Sequence, residues 1–204
     1  MLLRVRGLRR LHLAACFDLA AGECVALRGP SGSGKTQLLR ALADLDPNEG
    51  TVLLDGTPRE AVPAPIWRRR VAYLPAEPGW WADTVGEHFS DWAATAPLVQ
   101  RLGLPAACGA WPVQRLSTGE RQRLALVRAL AGVPPPGPRV LLLDEPTAGL
   151  DAAAAAAVEA LVAKRRATAG TGVVWVTHDA AQAHRVARRW LTLADGRLAE
   201  RAAP

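Results

Sequence analysis

The sequence predicts one α/β domain, a mixed and mostly parallel sheet covered by helices on both faces, with a helical lobe inserted into it. Three observations predict this. Short, fully apolar strands alternate with helical stretches, the pattern of strands buried on both faces. A glycine-rich turn over residues 29–36 joins one such strand to a helix. Over residues 78–131 the texture changes: β-branched residues thin out and tryptophans stand at 80, 81, 92 and 111. The expected division is a sheet core over about 1–77 and 132–204 with a helical subdomain over about 78–131.

Each element has its own signal. Residues 23–28 (ECVALR) form a short apolar strand, and the apolar period over 36–43 predicts the helix after the glycine-rich turn. A strand over 51–54 closes on the turn dipeptide Asp55-Gly56, and the prolines at 58, 63 and 65 exclude a long helix before the strand at 71–74. The lobe includes a helix over 120–131, and the linker 132–138 (GVPPPGP) is expected to be an exposed turn. Strands follow at 140–143, 173–176 and, as the terminal one, 190–193, separated by helices over 152–166 and 180–188. The alanine run at 152–157 reads as helix propensity alone.

Composition narrows the class. Half of the residues are hydrophobic and 22% are charged, which suits a globular chain. The net charge of +6 raises the question of nucleic acid or an anionic surface. The basic residues are scattered, however, and the longest run, Arg68, Arg69 and Arg70, reads as a solvated helix face. No nucleic acid partner is expected. Cys16, Cys24 and Cys108 lack zinc or disulfide spacing and are expected as buried thiols in a reducing compartment. The first thirteen residues alternate apolar and basic side chains without the pattern of a signal peptide, and no window reaches the ~20 apolar residues of a membrane span. A cytoplasmic location without direct membrane insertion follows as an expectation.

The chemistry concentrates in two stretches. Gly29, Pro30, Ser31, Gly32, Ser33, Gly34, Lys35 and Thr36 match G-x-x-x-x-G-K-[ST] throughout. Glycines at these positions let backbone N–H groups converge on phosphate oxygens, and the following helix presents its positive end to the same charge. Lys35 is expected at the β and γ phosphates and the Thr36 hydroxyl on magnesium. Residues 140–145 form an apolar strand that ends in Asp144 and Glu145. Asp144 is expected to hold the metal through water and Glu145 to polarise the attacking water, at the carboxyl edge where open α/β sheets bind ligands.

Three further stretches show a resemblance. Residues 116–123 (LSTGERQR) resemble the LSGGQ signature of ATP-binding cassette (ABC) ATPases, residues 146–151 (PTAGLD) are similar to that family's D-loop, and residues 176–179 (VTHD) to its switch-histidine loop. With the phosphate loop and the aspartate strand, five motifs stand in the family's order along nearly the whole chain. The resemblance implies the P-loop NTPase fold with an ABC-type lobe, and MgATP as substrate. It also implies a head-to-tail dimer in which Ser117, Gly119 and Asp151 of one subunit complete the nucleotide site of the other, with His178 at the γ-phosphate. A separate membrane permease is the implied partner, and residues 80, 81 and 83–89 are the candidate docking surface. The stretch WWADTVGEHF with the later WVTHD looks like small stand-alone ATPases of metal or iron export. A soluble ABC ATPase acting on DNA or the ribosome is the alternative, but such relatives carry coiled coils or two cassettes, and this chain has neither. His12, His88 and His184 are left as structural or surface residues.

The chain departs from the family's pattern in three places. Ala76, followed by Glu77, stands where a metal-contacting glutamine is usual. The signature has Thr118 for a glycine and Glu120 for a glutamine. No aromatic ring other than the His12 imidazole lies between Leu8 and Leu13 to stack on adenine.

Overall fold

The computed structural model describes residues 1–131 and 137–202. Its framework is a ten-stranded sheet among the described residues, in the order β5-β4-β1-β2-β10-β9-β3-β8-β7-β6. The antiparallel side holds β1 (Leu3–Arg10), β2 (Leu13–Leu19), β4 (Glu49–Leu54) and the short β5 (Thr57–Pro58), while β3 (Cys24–Arg28) lies on the parallel side. Residues 3–19 and 49–54 alternate buried and exposed for most of their length, as strands with one solvated face do. Cys16 falls on the solvated face of β2 and is exposed, against the expectation of a buried thiol. Its Sγ accepts the Gly7 N–H at 3.0 Å where β1 is bulged.

The parallel side is β6 (Val71–Leu74), β7 (Val140–Asp144), β8 (Gly172–Val176), β3 and β9 (Arg189–Ala194). β7 and β8 are buried at every position because successive side chains enter different cores on the two faces. Ala26, Leu141, Leu143 and Trp175 pack with Leu124 and Val127 of α4 (Thr118–Ala131) and Val158 and Leu161 of α5 (Ala152–Ala169). Val25, Leu27, Leu142 and Val176 pack on the other face with Leu38, Leu39 and Leu42 of α1 (Lys35–Leu42).

The elements read from the sequence stand in the expected order, with the differences that follow. After the prolines, residues 64–70 form the short helix α2 (Ala64–Arg70), opened by Pro65 near its first turn, and its buried Trp67 donates Nε1–H to the Leu42 carbonyl at 2.9 Å. Residues 190–193 are not the last strand: the turn at Asp195 and Gly196, both at positive φ, returns the chain as β10 (Arg197–Ala202). The segment between β6 and β7 contains α3 (Trp92–Arg101) and α4 joined by proline-bounded 3₁₀ turns, and it shares one core with the sheet. Of the linker expected to be exposed, residues 132–136 lie outside the described residues, and Pro138 is buried, its carbonyl accepting the Thr171 hydroxyl. The helix after β8 is α6 (Ala180–Val186), two residues shorter than its period suggests.

Candidate functional site

Sheet register brings the sequence motifs to one edge. Val176 of β8 pairs with Leu27 of β3 on one side and Asp144 of β7 on the other, so the chain leaves all three strands at the same level. Gly29, Glu145 and His178 follow within one or two residues. This is the carboxyl edge of the parallel strands, where α/β sheets open a crevice.

The loop 29–34 takes its shape from three glycines at positive φ, Gly29, Gly32 and Gly34. At Gly29 a β-carbon would lie 2.1 Å from the Leu193 carbonyl oxygen, so no other residue fits there without moving β9. Gly34 is the left-handed residue that starts α1. Lys35 is buried beneath the loop and donates to the Gly29 and Pro30 carbonyls, both at 2.9 Å. Burial lowers its pKa below the ordinary lysine value, opposed by the charges of Glu145 and Asp144.

The Thr36 hydroxyl donates to Asp144 Oδ2 at 2.7 Å, and the Tyr73 hydroxyl donates to the same oxygen at 3.2 Å. A hydroxyl beside one buried carboxylate is an all-oxygen donor set that suits magnesium, a hard ion that keeps several waters and takes its remaining oxygens from phosphate. Glu145 follows at φ 48°, and its Oε1 stands 3.3 Å from His178 Nε2. Burial raises the Glu145 pKa above the usual carboxylate value, against the lowering effect of His178. A cavity of about 300 Å³ is lined by Ser31, Gly32, Gly34, Lys35, Thr36, Gln37, Ala76, Asp144, Glu145, Val176 and His178.

Ser117, Gly119 and Asp151 do not line this cavity. Ser117 precedes α4 and forms a capping box with Glu120: its N–H and hydroxyl donate to Glu120 Oε2 at 2.8 and 2.9 Å, and the Glu120 N–H returns to Ser117 Oγ at 3.3 Å. Gly119 faces Leu150, whose Cδ2 would lie 2.9 Å from an added β-carbon. Asp151 caps α5 by accepting the Ala154 N–H at 2.8 Å. Residues 117–119 and 149–151 therefore meet where Gly119 faces Leu150, and Ser117, Gly119 and Asp151 lie outside the cavity lining.

Ala76 lines the cavity where the usual glutamine would stand, while Glu77 is exposed and does not. The sequence reading passed over three residues near these groups. Tyr73 orients Asp144. Gln37, next to Thr36, turns a buried Oε1 without a protein partner along the cavity wall. Gln182 lies in α6, which begins two residues after His178, and no spacing in the sequence marked it. In the candidate docking stretch, Trp81 is 73% exposed, Trp80 is partly buried, and Arg128 lies over both rings at 4.6 and 4.8 Å. His88 is buried beneath them and accepts the Trp81 and Ala82 N–H groups on Nε2. His12 is exposed, and His184 rests on Trp190 at the surface.

Comparison with known proteins shows the family. The profile of the family described as ABC transporter matches residues 14–148. An aliphatic sulfonates import ATP-binding protein, SsuB 3 of Nocardia farcinica, is 40% identical over 97% of this chain and 78% of its own length. A probable iron export ATP-binding protein, FetA of Escherichia coli, is 34% identical over 80% of this chain and 76% of its own. The chain spans between 56% and 78% of the length of eight curated relatives that it matches. Among solved structures, an ATP binding subunit of an ABC transporter superposes with a TM-score of 0.86 at 26% identity, over 99% of this chain and 90% of that one.

Proposed function

The chain belongs to the ABC transporter family of ATPases, and from that premise we propose that it is the MgATP-hydrolysing subunit that drives transport through a separate membrane permease. The observation that carries the reading is the Glu145–His178 pair, 3.3 Å apart, over a cavity whose other walls are Lys35 and the bonded Thr36–Asp144 pair.

In this reading the triphosphate lies along the loop, and its β and γ oxygens take Lys35 Nζ from the Gly29 and Pro30 carbonyls. Thr36 and Asp144 would hold magnesium, which supplies charge neutralisation of the phosphate oxygens. Glu145 accepts a hydrogen bond from the attacking water, whose oxygen bonds to the γ-phosphorus as the bond to the ADP oxygen breaks. His178 orients that water from the other side of Glu145. Positioning and electrostatics carry such a transfer, so the raised Glu145 pKa helps: a more basic carboxylate polarises water better.

Two copies would complete each site, with Ser117, Gly119 and Asp151 of one chain closing on the nucleotide of the other. No helix among the described residues is long and apolar enough to cross a membrane. In this reading the force of hydrolysis passes to a membrane partner docked at the surface around Trp81. This partnership puts the subunit on the cytoplasmic face of the membrane. The likeness to an iron export protein supports a metal cargo, and the likeness to a sulfonate import protein supports the competing one.

The test is hydrolysis of MgATP by the purified chain and its variants. Glu145→Gln is expected to lower turnover ~100-fold or more with nucleotide binding retained, since a positioned acid–base group contributes about 10²–10⁴-fold. Lys35→Ala is expected to lose binding. Unchanged turnover in Glu145→Gln would remove that residue from its role. Co-purification with a polytopic membrane protein, followed by ATPase assays in lipid with iron or with an alkyl sulfonate, separates the two cargoes.

A further inference from the structure

Gln182 is only 3% exposed, yet it carries a full set of hydrogen bonds. Its Nε2 donates to Thr147 Oγ1 at 2.8 Å and to Glu159 Oε1 at 2.9 Å. Its Oε1 accepts from the Thr147 hydroxyl at 3.1 Å and from Trp175 Nε1–H at 3.3 Å. Two donors and two acceptor sites are the whole capacity of a carboxamide, so nothing is left over.

The partners are what matter. Thr147 lies two residues after Glu145. Trp175 lies three residues before His178, and Gln182 itself is on the helix that begins just after it. The two loops that carry Glu145 and His178 are thus tied at one buried side chain. Glu145 needs such a tie: a non-glycine residue at φ 48° is strained, and strain of this kind persists only where the surroundings over-determine it. The Ala148 N–H to Glu145 carbonyl bond at 3.1 Å closes the turn, and Thr147 anchors it to Gln182.

We propose that Gln182 is a positioning residue for the Glu145–His178 pair, holding the two loops in register through Thr147. The inference rests on the catalytic roles proposed above. It adds a residue that touches neither nucleotide nor metal and lies outside the cavity that would hold them. Its loss should therefore change turnover and leave the phosphate loop, Thr36 and Asp144 as they are.

The test uses Gln182→Met, which keeps the length of the side chain and removes all four bonds, and Thr147→Val, which removes only the hydroxyl. Each is expected to lower kcat ~10-fold or more, because misplacing a reacting group by about 1 Å can cost up to ~10²-fold. The dissociation constant of a fluorescent ATP analogue should change by less than about twofold, and the double variant should be no slower than Gln182→Met alone, as coupled residues require. Thr147→Ser, which restores the hydroxyl, should recover what Thr147→Val loses. Folded Gln182→Met with wild-type kcat overturns the proposal. So does a fall in Gln182→Met that Thr147→Val does not share, because the effect then runs through packing, or a loss of nucleotide affinity in step with kcat. Failure of the underlying reading looks different: there, Glu145→Gln itself would keep its turnover.

Discussion

Glu145 combines two costs, a left-handed backbone and a buried carboxylate. Because burial raises its pKa above the reference value of 4.5, the folded chain binds this proton more tightly than the unfolded chain does. Stability from this group therefore falls as pH rises from about 4.5 through the raised value, and at neutral pH the ionised side chain is a liability that His178 only partly offsets. Replacement by the neutral amide removes that liability. Glu145→Gln is thus expected to melt at a higher temperature than the parent at pH 7, with the difference closing at about pH 4, where both side chains are uncharged. Melting curves at several pH values check this, and a difference independent of pH would mean that ionisation is not its source. In the catalytic role proposed for Glu145, the same shift is expected to give kcat an acid limb above the ordinary carboxylate range.

At the scale of elements, α4 shows how a functional motif doubles as a structural one. Its capping box places Glu120 where a glutamine is usual, and the Ser117 N–H, with the hydroxyl adding to it, holds that carboxylate below its ordinary pKa. A depressed carboxylate contributes stability that is present above its unfolded pKa and is lost as pH falls through the folded one. Glu120→Ala is expected to cost about 1 kcal/mol at neutral pH, read as a lower urea midpoint with unchanged slope, and to cost less in acid. Elements with this much local chemistry were legible in the sequence. β7 and β8 showed as unbroken apolar runs because both of their faces are buried, and the glycine pattern marked the phosphate loop. β10 was missed because 190–193 reads as the terminal strand and Arg197 and Glu200 interrupt the apolar residues after it, although Asp195-Gly196 is a hairpin signal. Tyr73 and Gln182 could not be found for a different reason. Their partners, Asp144 and Thr147, are 71 and 35 residues distant, and only sheet register and helix packing bring them together. Ser117, Gly119 and Asp151 stood out by likeness, but nothing in their spacing says that they stay out of their own chain's cavity.

For the whole molecule, that separation is the main constraint on how it can work. Gly29, Glu145 and His178 share an edge because β3, β7 and β8 end at one level, whereas Gly119 is packed against Leu150 and Asp151 caps α5. Ser117, Gly119 and Asp151 do not line their own chain's cavity, so in the proposed reading one chain cannot set its own Ser117 against its own triphosphate. Two chains arranged head to tail can, and the arrangement gives a test that no single-chain site would pass. In the hydrolysis-blocked Glu145→Gln background, Lys35→Ala spoils the phosphate loop. Ser117→Asp keeps a capping side chain but sets a negative charge against the incoming phosphate. Neither variant alone should dimerise with MgATP, because both of its composite sites are damaged. Mixed in equal amounts, they can pair so that the Ser117 of the Lys35→Ala chain meets the intact loop of the other, giving about one sound site in each mixed pair. Light scattering of the mixture should then show an ATP-dependent dimer that neither component forms. If the sites were complete within each chain, mixing would repair nothing and the solution would remain the sum of two monomers.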